Sequence, residues 1–169
     1  MIIINFKNYK FGENALKLAK LIENYLPKAI VAVSAVDVGY LAYYTKLKVY
    51  AQHIDCIDEL KTTGFLHPNA VKSHGGVGTI LNHSEHRIPF AQIKSSLNLC
   101  KKYGLKAIIC VSSISEAINI KKLAPYAIAF EDPKLVGSGK SITQYRSSDV
   151  KKFAELFKNS KIIPLCGAG

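Results

Sequence analysis

Apolar residues in this 169-residue chain gather in short runs that recur along its length: Ile2–Phe6, Ala29–Val33, Lys48–Ala51, Val77–Leu81, Ala107–Val111, Ala127–Phe130 and Ile162–Leu165. Runs of four or five residues rich in Ile and Val predict strands buried on both faces, as in a parallel sheet. The segments between them carry a helical period instead. Leu16, Ala19, Leu21, Ile22 and Leu26 recur at helical spacing as far as Pro27. Pro89 sits well at the first turn of another helix, with Ile93, Leu97 and Cys100 on one face and Gly104 as its stop. Ser115–Leu123 and Ser147–Phe157 carry two more. The alternation predicts an α/β fold of seven parallel strands and about six helices, joined by right-handed crossovers. No linker, low-complexity segment or shift in composition divides it, so residues 1–169 read as one domain. An open doubly wound sheet and a (β/α)8 barrel both fit this periodicity.

Composition narrows the classes. Hydrophobic residues make up 49% and charged residues 21%, as in an ordinary globular protein. No apolar run approaches the roughly 18–20 residues that cross a bilayer, so no membrane partner is expected. Met1–Asn5 lacks a basic leader and a long apolar stretch, so no signal peptide is expected either. Cys56, Cys100, Cys110 and Cys166 form no CxxC pair and read as reduced thiols of a cytoplasmic protein. The formal net charge of +11 raises nucleic-acid binding. Yet 21 of the 23 basic residues are Lys, only Arg87 and Arg146 are Arg, and the lysines are dispersed. Base readout and phosphate forks favour Arg. The charge therefore reads as compositional bias, with no nucleic-acid partner, although it would draw small anions toward the surface.

The candidate chemistry lies directly after the strand runs. The first is followed by Asn5-Phe6-Lys7, the fourth by Asn82-His83-Ser84-Glu85-His86-Arg87, the sixth by Glu131 and then Asp132 through Lys140, and the seventh by Gly167-Ala168-Gly169. In a barrel these ends meet on one face and build one site from many loops. An amide, a cation, an imidazole, a carboxylate and two glycine-rich turns suffice for acid–base chemistry on a small anion. Taken singly, each has a plainer reading: Glu131 as a surface acid, His83 as a satisfied polar group, Lys7 as a surface lysine, and the glycine turns as common punctuation.

Taken together and in order, these segments resemble the triosephosphate isomerase family. Asn5-x-Lys7 is similar to its first-strand motif, Gly78 through Arg87 to its catalytic-histidine segment, and Ala129 through Lys140 to its catalytic glutamate and closing lid. Leu165-Cys166-Gly167-Ala168-Gly169 resembles the archaeal form of its phosphate loop, and Ala51 through Asp55 fits its third-strand end. The resemblance implies a (β/α)8 TIM barrel and the interconversion of dihydroxyacetone phosphate and glyceraldehyde 3-phosphate through an enediolate, with no metal and no cofactor. It makes Glu131 the base and His83 a neutral donor, whose place at the start of a helix disfavours an added positive charge. It makes Lys7 the balancing cation and Asn5 a further donor. Ser84 and Glu85 support the site, Glu85 by pairing with Lys7. Gly137, Gly167, Ala168 and Gly169 bind phosphate through backbone N–H groups, together with Asn5 and Lys7. It also implies a homo-oligomer, dimer or tetramer, acting on a small phosphorylated triose in glycolysis and gluconeogenesis. The rival reading is a phosphate-binding barrel without catalysis.

Two departures from the family pattern stand out. Asp132 occupies the position after the catalytic glutamate where the family has proline, which stiffens the lid's first hinge. A carboxylate there adds charge beside Glu131, with the expectation that the pKa of Glu131 rises. The chain also ends directly after the seventh run, so a barrel of the usual size lacks its last helix, strand and helix, roughly 50 residues.

Overall fold

The computed structural model describes residues 1–167, and Ala168 and Gly169, expected to bind phosphate, lie outside the described residues. Strands and helices follow the apolar runs. In chain order they are β1 (Ile3–Asn5), α1 (Gly12–Tyr25), β2 (Ile30–Val33), α2 (Val38–Tyr44), β3 (Lys48–Ala51), α3 (Pro68–Ser73), β4 (Gly78–Leu81), α4 (Phe90–Lys102), β5 (Lys106–Val111), α5 (Ile114–Lys121), β6 (Ala127–Phe130), α6 (Ile142–Tyr145), α7 (Ser147–Glu155) and β7 (Ile163–Cys166). The described residues thus hold seven strands and seven α-helices, where about six helices were expected. The four residues of α6 make a single turn, too short to carry a readable period.

The elements fall into two compact units. In the first, Met1–Ile80 with Ser95–Lys106, β1 pairs with β2, β2 with β3 and β3 with β4, all parallel. Every residue of β2 is buried, as a strand covered on both faces must be. Helix α1 turns Ala15, Leu16, Ala19 and Ile22 inward. Leu21, expected on the same face, is exposed on the other side, and Leu26 lies past the helix end, which the approach of Pro27 enforces. Gly78 opens β4 where a Cβ would stand 2.3 Å from both a Tyr50 ring carbon and the Lys106 carbonyl oxygen. Only glycine allows that approach, and it lets the fully buried Tyr50 ring fill the space.

In the second unit, Leu81–Lys94 with Ala107 onward, β5 pairs with β6 and β6 with β7, again parallel. The ring of Phe130 on β6 stacks on Phe153 of α7 with centroids 5.3 Å apart, and Phe153 meets Phe157 at 4.9 Å. Burying such a side chain contributes roughly 1.5–3 kcal/mol. Ser113 caps α5 by accepting the Glu116 backbone N–H at 3.1 Å. Among the described residues no helix is long and apolar enough to cross a membrane.

Candidate active site

In the first unit the site residues begin where β1 ends. Lys7 holds a left-handed backbone, φ +47°, which costs a residue with a Cβ roughly 1–2 kcal/mol. Its neighbours hold it there. Asn5 Oδ1 accepts the Lys7 backbone N–H at 2.9 Å, and Gln52 Nε2, at the end of β3, donates to the Lys7 carbonyl at 2.8 Å and to Asn5 Oδ1 at 3.2 Å. Gln52 entered the sequence reading only as part of a motif, and the structure makes it the side chain that fixes both Asn5 and Lys7. Lys7 Nζ lies 5.9 Å from the centre of the Tyr9 ring.

In the second unit the chain leaves β4 through Asn82, 1% exposed and also left-handed at φ +61°. The Asn82 amide donates to the Cys110 carbonyl at 2.9 Å and to Glu116 Oε1 at 3.0 Å, while its Oδ1 accepts the Ile88 N–H at 3.1 Å. Arg87 pairs with Glu116 and donates to the Asn82 carbonyl, and Glu116 Oε2 accepts the Ser112 N–H at 2.9 Å. The loop carrying His83 is therefore pinned at both ends. Asn82, Arg87 and Glu116 were not singled out as supports, although the Ser113-x-x-Glu116 spacing is itself a recognisable capping signal.

His83 stands between two carboxylates. Its Nε2 is 3.6 Å from Glu131 Oε2, and its Nδ1 is 3.6 Å from Glu85 Oε2. The Glu85 backbone N–H donates to Nδ1 at 3.2 Å, so Nδ1 is an acceptor and the ring carries its proton on Nε2. This corrects the expectation of a helix start at His83. Residues 83–86 form one turn, closed by the His86 N–H on the His83 carbonyl at 2.8 Å, and α4 begins only at Phe90. A single backbone N–H, that of Glu85, and not a helix terminus, is what faces the ring's Nδ1. Glu131 follows β6, is 6% exposed, and its Oε2 accepts the Ser84 backbone N–H at 3.0 Å. Cys110 on β5 is buried and feels the charge of the same carboxylate. Burial, and then the charge of Glu131, push that thiol well above its ordinary pKa, which suits a packed, protonated thiol and not a nucleophile.

Residues 133–139 run as consecutive turns. The Leu135 and Val136 N–H groups donate to the Asp132 carbonyl at 2.9 and 3.1 Å, and the Lys134 N–H donates to Asp132 Oδ1 at 2.9 Å. Gly137 has φ +72°, a conformation glycine adopts without strain, and is exposed. The Asp132 carboxylate does not stand as an uncompensated charge beside Glu131. The Lys134 N–H and then the Arg146 guanidinium hold its pKa below the usual carboxylate range. Past these turns, Gly139, Lys140, Ser141, Ile142, Thr143, Cys166 and Gly167 line a pocket of about 350 Å3. Gly167 thus falls in a pocket lined also by Ser141 and Thr143, whose hydroxyls bond to each other at 2.7 Å, and by Lys140, whose Nζ lies 5.3 Å from the centre of the Tyr145 ring. Among the described residues, no three His, Cys, Asp or Glu side chains are grouped to hold a metal ion.

Known proteins place this arrangement. The triosephosphate isomerase sequence profile matches residues 1–167. Triosephosphate isomerase of Archaeoglobus fulgidus is 33% identical over the whole chain and 79% of its own length, and that of Methanocaldococcus jannaschii is 34% identical over the whole chain and 81% of its own. The relative from Methanobacterium bryantii is 36% identical over the whole chain and 78% of its length. The solved triosephosphate isomerase of Bartonella henselae superposes with a TM-score of 0.76, covering 99% of this chain and 82% of that one at 19% identity, which places the chain in the TIM-barrel fold class. On the length of the profile match and the identity to the archaeal relatives, the chain belongs to the triosephosphate isomerase family.

Proposed function

We propose that this chain interconverts dihydroxyacetone phosphate and D-glyceraldehyde 3-phosphate by proton transfer through an enediolate, in glycolysis and gluconeogenesis. The observation that carries the reading is the His83–Glu131 pair: a carboxylate oxygen and an imidazole N–H, 3.6 Å apart, each held by a backbone N–H at its far side or its own oxygen. Glu131 takes the proton from the carbon beside the carbonyl. The C–H electron pair becomes the enediolate double bond and the carbonyl pair moves onto oxygen, where His83 Nε2–H stabilises the developing charge; a proton passes from the hydroxyl oxygen to the former carbonyl oxygen, and Glu131 returns its proton to the neighbouring carbon as the new carbonyl forms. One proton moves between the carbons and one between the oxygens, so the atoms balance within the substrate and no redox partner is required.

Lys7 and Asn5 contribute a cation and an amide donor to the substrate oxygens. Ser84 and Glu85 support the acid–base pair through their backbone N–H groups. Gly137 and Gly167, with Ala168 and Gly169, hold the phosphate through backbone N–H groups. Closure of the segment around Gly137 excludes water and keeps the enediolate from expelling its phosphate. By its family the protein works in the cytoplasm as a homo-oligomer, which light scattering of the purified chain reads directly.

The test is triose phosphate isomerisation by the full chain beside Glu131→Gln. Turnover in the parent and a loss of about 10²–10⁴-fold or more in kcat in the variant is the expected result. Equal rates in both would remove Glu131 from its role, and phosphate-ester binding without turnover in the parent would favour the non-catalytic barrel.

A further inference from the structure

The side chain that grips Glu131's neighbours comes from outside the motifs that carry the chemistry. Arg146 stands at the junction of α6 and α7, its backbone anchored on both sides: its N–H donates to Ile142 O at 2.8 Å, and its carbonyl accepts the Val150 N–H at 2.9 Å. Asp149, one turn along, accepts from Arg146 Nε at 2.6 Å and aims the planar guanidinium. Nη1 then donates to Asp132 Oδ2 at 2.6 Å, and the guanidinium carbon lies 5.9 Å from the centre of the Phe130 ring. Phe130 and Asp132 are the residues immediately before and after Glu131. One rigid group thus touches both flanks of the base.

The Asp132 end of that clasp is also where the lid is knotted. Its carbonyl accepts two N–H groups of the turn and its Oδ1 a third, so whatever fixes Asp132 fixes the first turn of segment 133–140. An ordinary exposed ion pair contributes little, because solvent screens it and long side chains lose freedom. This pair differs: the Asp132 side chain is only 12% exposed, and the arginine is already oriented by Asp149. Where a proline would fix this hinge through its ring, an ion pair fixes it here through space.

On the isomerase reading above, we propose that Arg146 is a positioning residue for the proton transfer: clasping Asp132 and covering Phe130, it holds the backbone on both sides of Glu131 and forms the fixed end of the lid. A base displaced by a fraction of an ångström loses rate far more than it loses affinity, so the effect falls on kcat.

The experiment is a double-mutant cycle on the full chain, with Arg146→Gln, Asp132→Asn and the pair combined, read by isomerisation kinetics and by trypsin cleavage after Lys134 and Lys140, both exposed in the lid. Each single variant is expected to lower kcat about ten- to a hundredfold with KM within about threefold, and to speed lid cleavage severalfold. The double variant is expected to lose no more than the worse single. Arg146→Lys keeps the charge and recovers part of kcat. If Arg146→Gln does not fold, Arg146→Lys takes its place in the cycle. Lys102→Gln, which breaks the Lys102–Asp58 ion pair in the other unit, leaves kcat unchanged. Losses that multiply in the double variant, a kcat unchanged in Arg146→Gln, or a kcat loss without faster lid cleavage would each overturn the proposal. A parent without turnover would remove the isomerase reading and the role of Arg146 with it, whereas an active parent with an unimpaired Arg146→Gln removes only the latter.

Discussion

Two loops of the second unit serve one carboxylate and are built in opposite ways. Residues 82–88 are tied along their length: Asn82 is buried and bonded through its amide, its Oδ1 and its carbonyl, and Arg87 and Glu116 close the far side. Residues 132–140 are held chiefly at their base, with Leu135 buried and Lys140 Nζ over the Tyr145 ring. Asp132 is clasped by Arg146, and beyond it the turns bond to themselves, with Gly137 through Lys140 exposed. The first arrangement suits a donor that must already be aimed when charge develops, since reorientation during reaction would cost rate. The second suits a cover that must open and close without disturbing the residue beside its hinge. Between Glu131 and Gly137 the chain passes from a buried, clasped Asp132 to exposed turns.

Breaking the rigid side at its working atom has the largest effect. His83→Gln keeps a polar group but loses the Nε2 donor as aimed by the Glu85 N–H, and kcat is expected to fall about 10²–10³-fold with little change in melting temperature. A comparable loss of stability would mean that His83 serves the fold. Next comes the support. Glu116→Ala strips acceptors from the Asn82 amide, the Ser112 N–H and Arg87 at once. Lost and unsatisfied hydrogen bonds of this kind cost about 1–3 kcal/mol, visible as several degrees in thermal melting, and kcat follows downward as the loop loosens. An unchanged melting temperature would refute the pinned-loop description.

The smallest effect sharpens the hinged side. The pKa of Asp132 is held below its ordinary value of 3.8, first by the Lys134 N–H and then by Arg146. A depressed carboxylate pKa adds stability that is fully present above the unfolded-state value and is lost as pH falls through the folded one. The parent should therefore melt about one or two degrees above Asp132→Asn from pH 8 down to about pH 5, and the gap should close below about pH 4. A gap that widens in acid would reverse the sign and exclude the clasp.

Much of this was legible in the chain. Seven short Ile- and Val-rich runs became seven strands, because a strand covered on both faces needs little beyond apolar, β-branched residues. Asn5, Lys7, His83 and Glu131 stood out as candidates because each lies at or just past the end of such a run. The supports were not, since their meaning lies in partners far along the chain: Gln52 acts on Lys7 across 45 residues, and Asn82 on Glu116 across 34. Leu21 was misplaced because a leucine on a helix counts toward the apolar stripe until its neighbours are known. The helix terminus assigned to His83 conflicted with a signal already in view, since Pro89 marks the start of α4 six residues later.

Lys7 carries a consequence for how this protein can change. Its backbone geometry is one that glycine adopts freely, while its proposed role demands an ammonium group. Two selective pressures therefore pull on a single codon, one toward a sturdier fold and one toward turnover, and Gln52 is what lets the costlier residue persist. Replacement of Gln52 would weaken the catalyst without touching a reacting atom, so drift at that site would be purged as though it belonged to the chemistry.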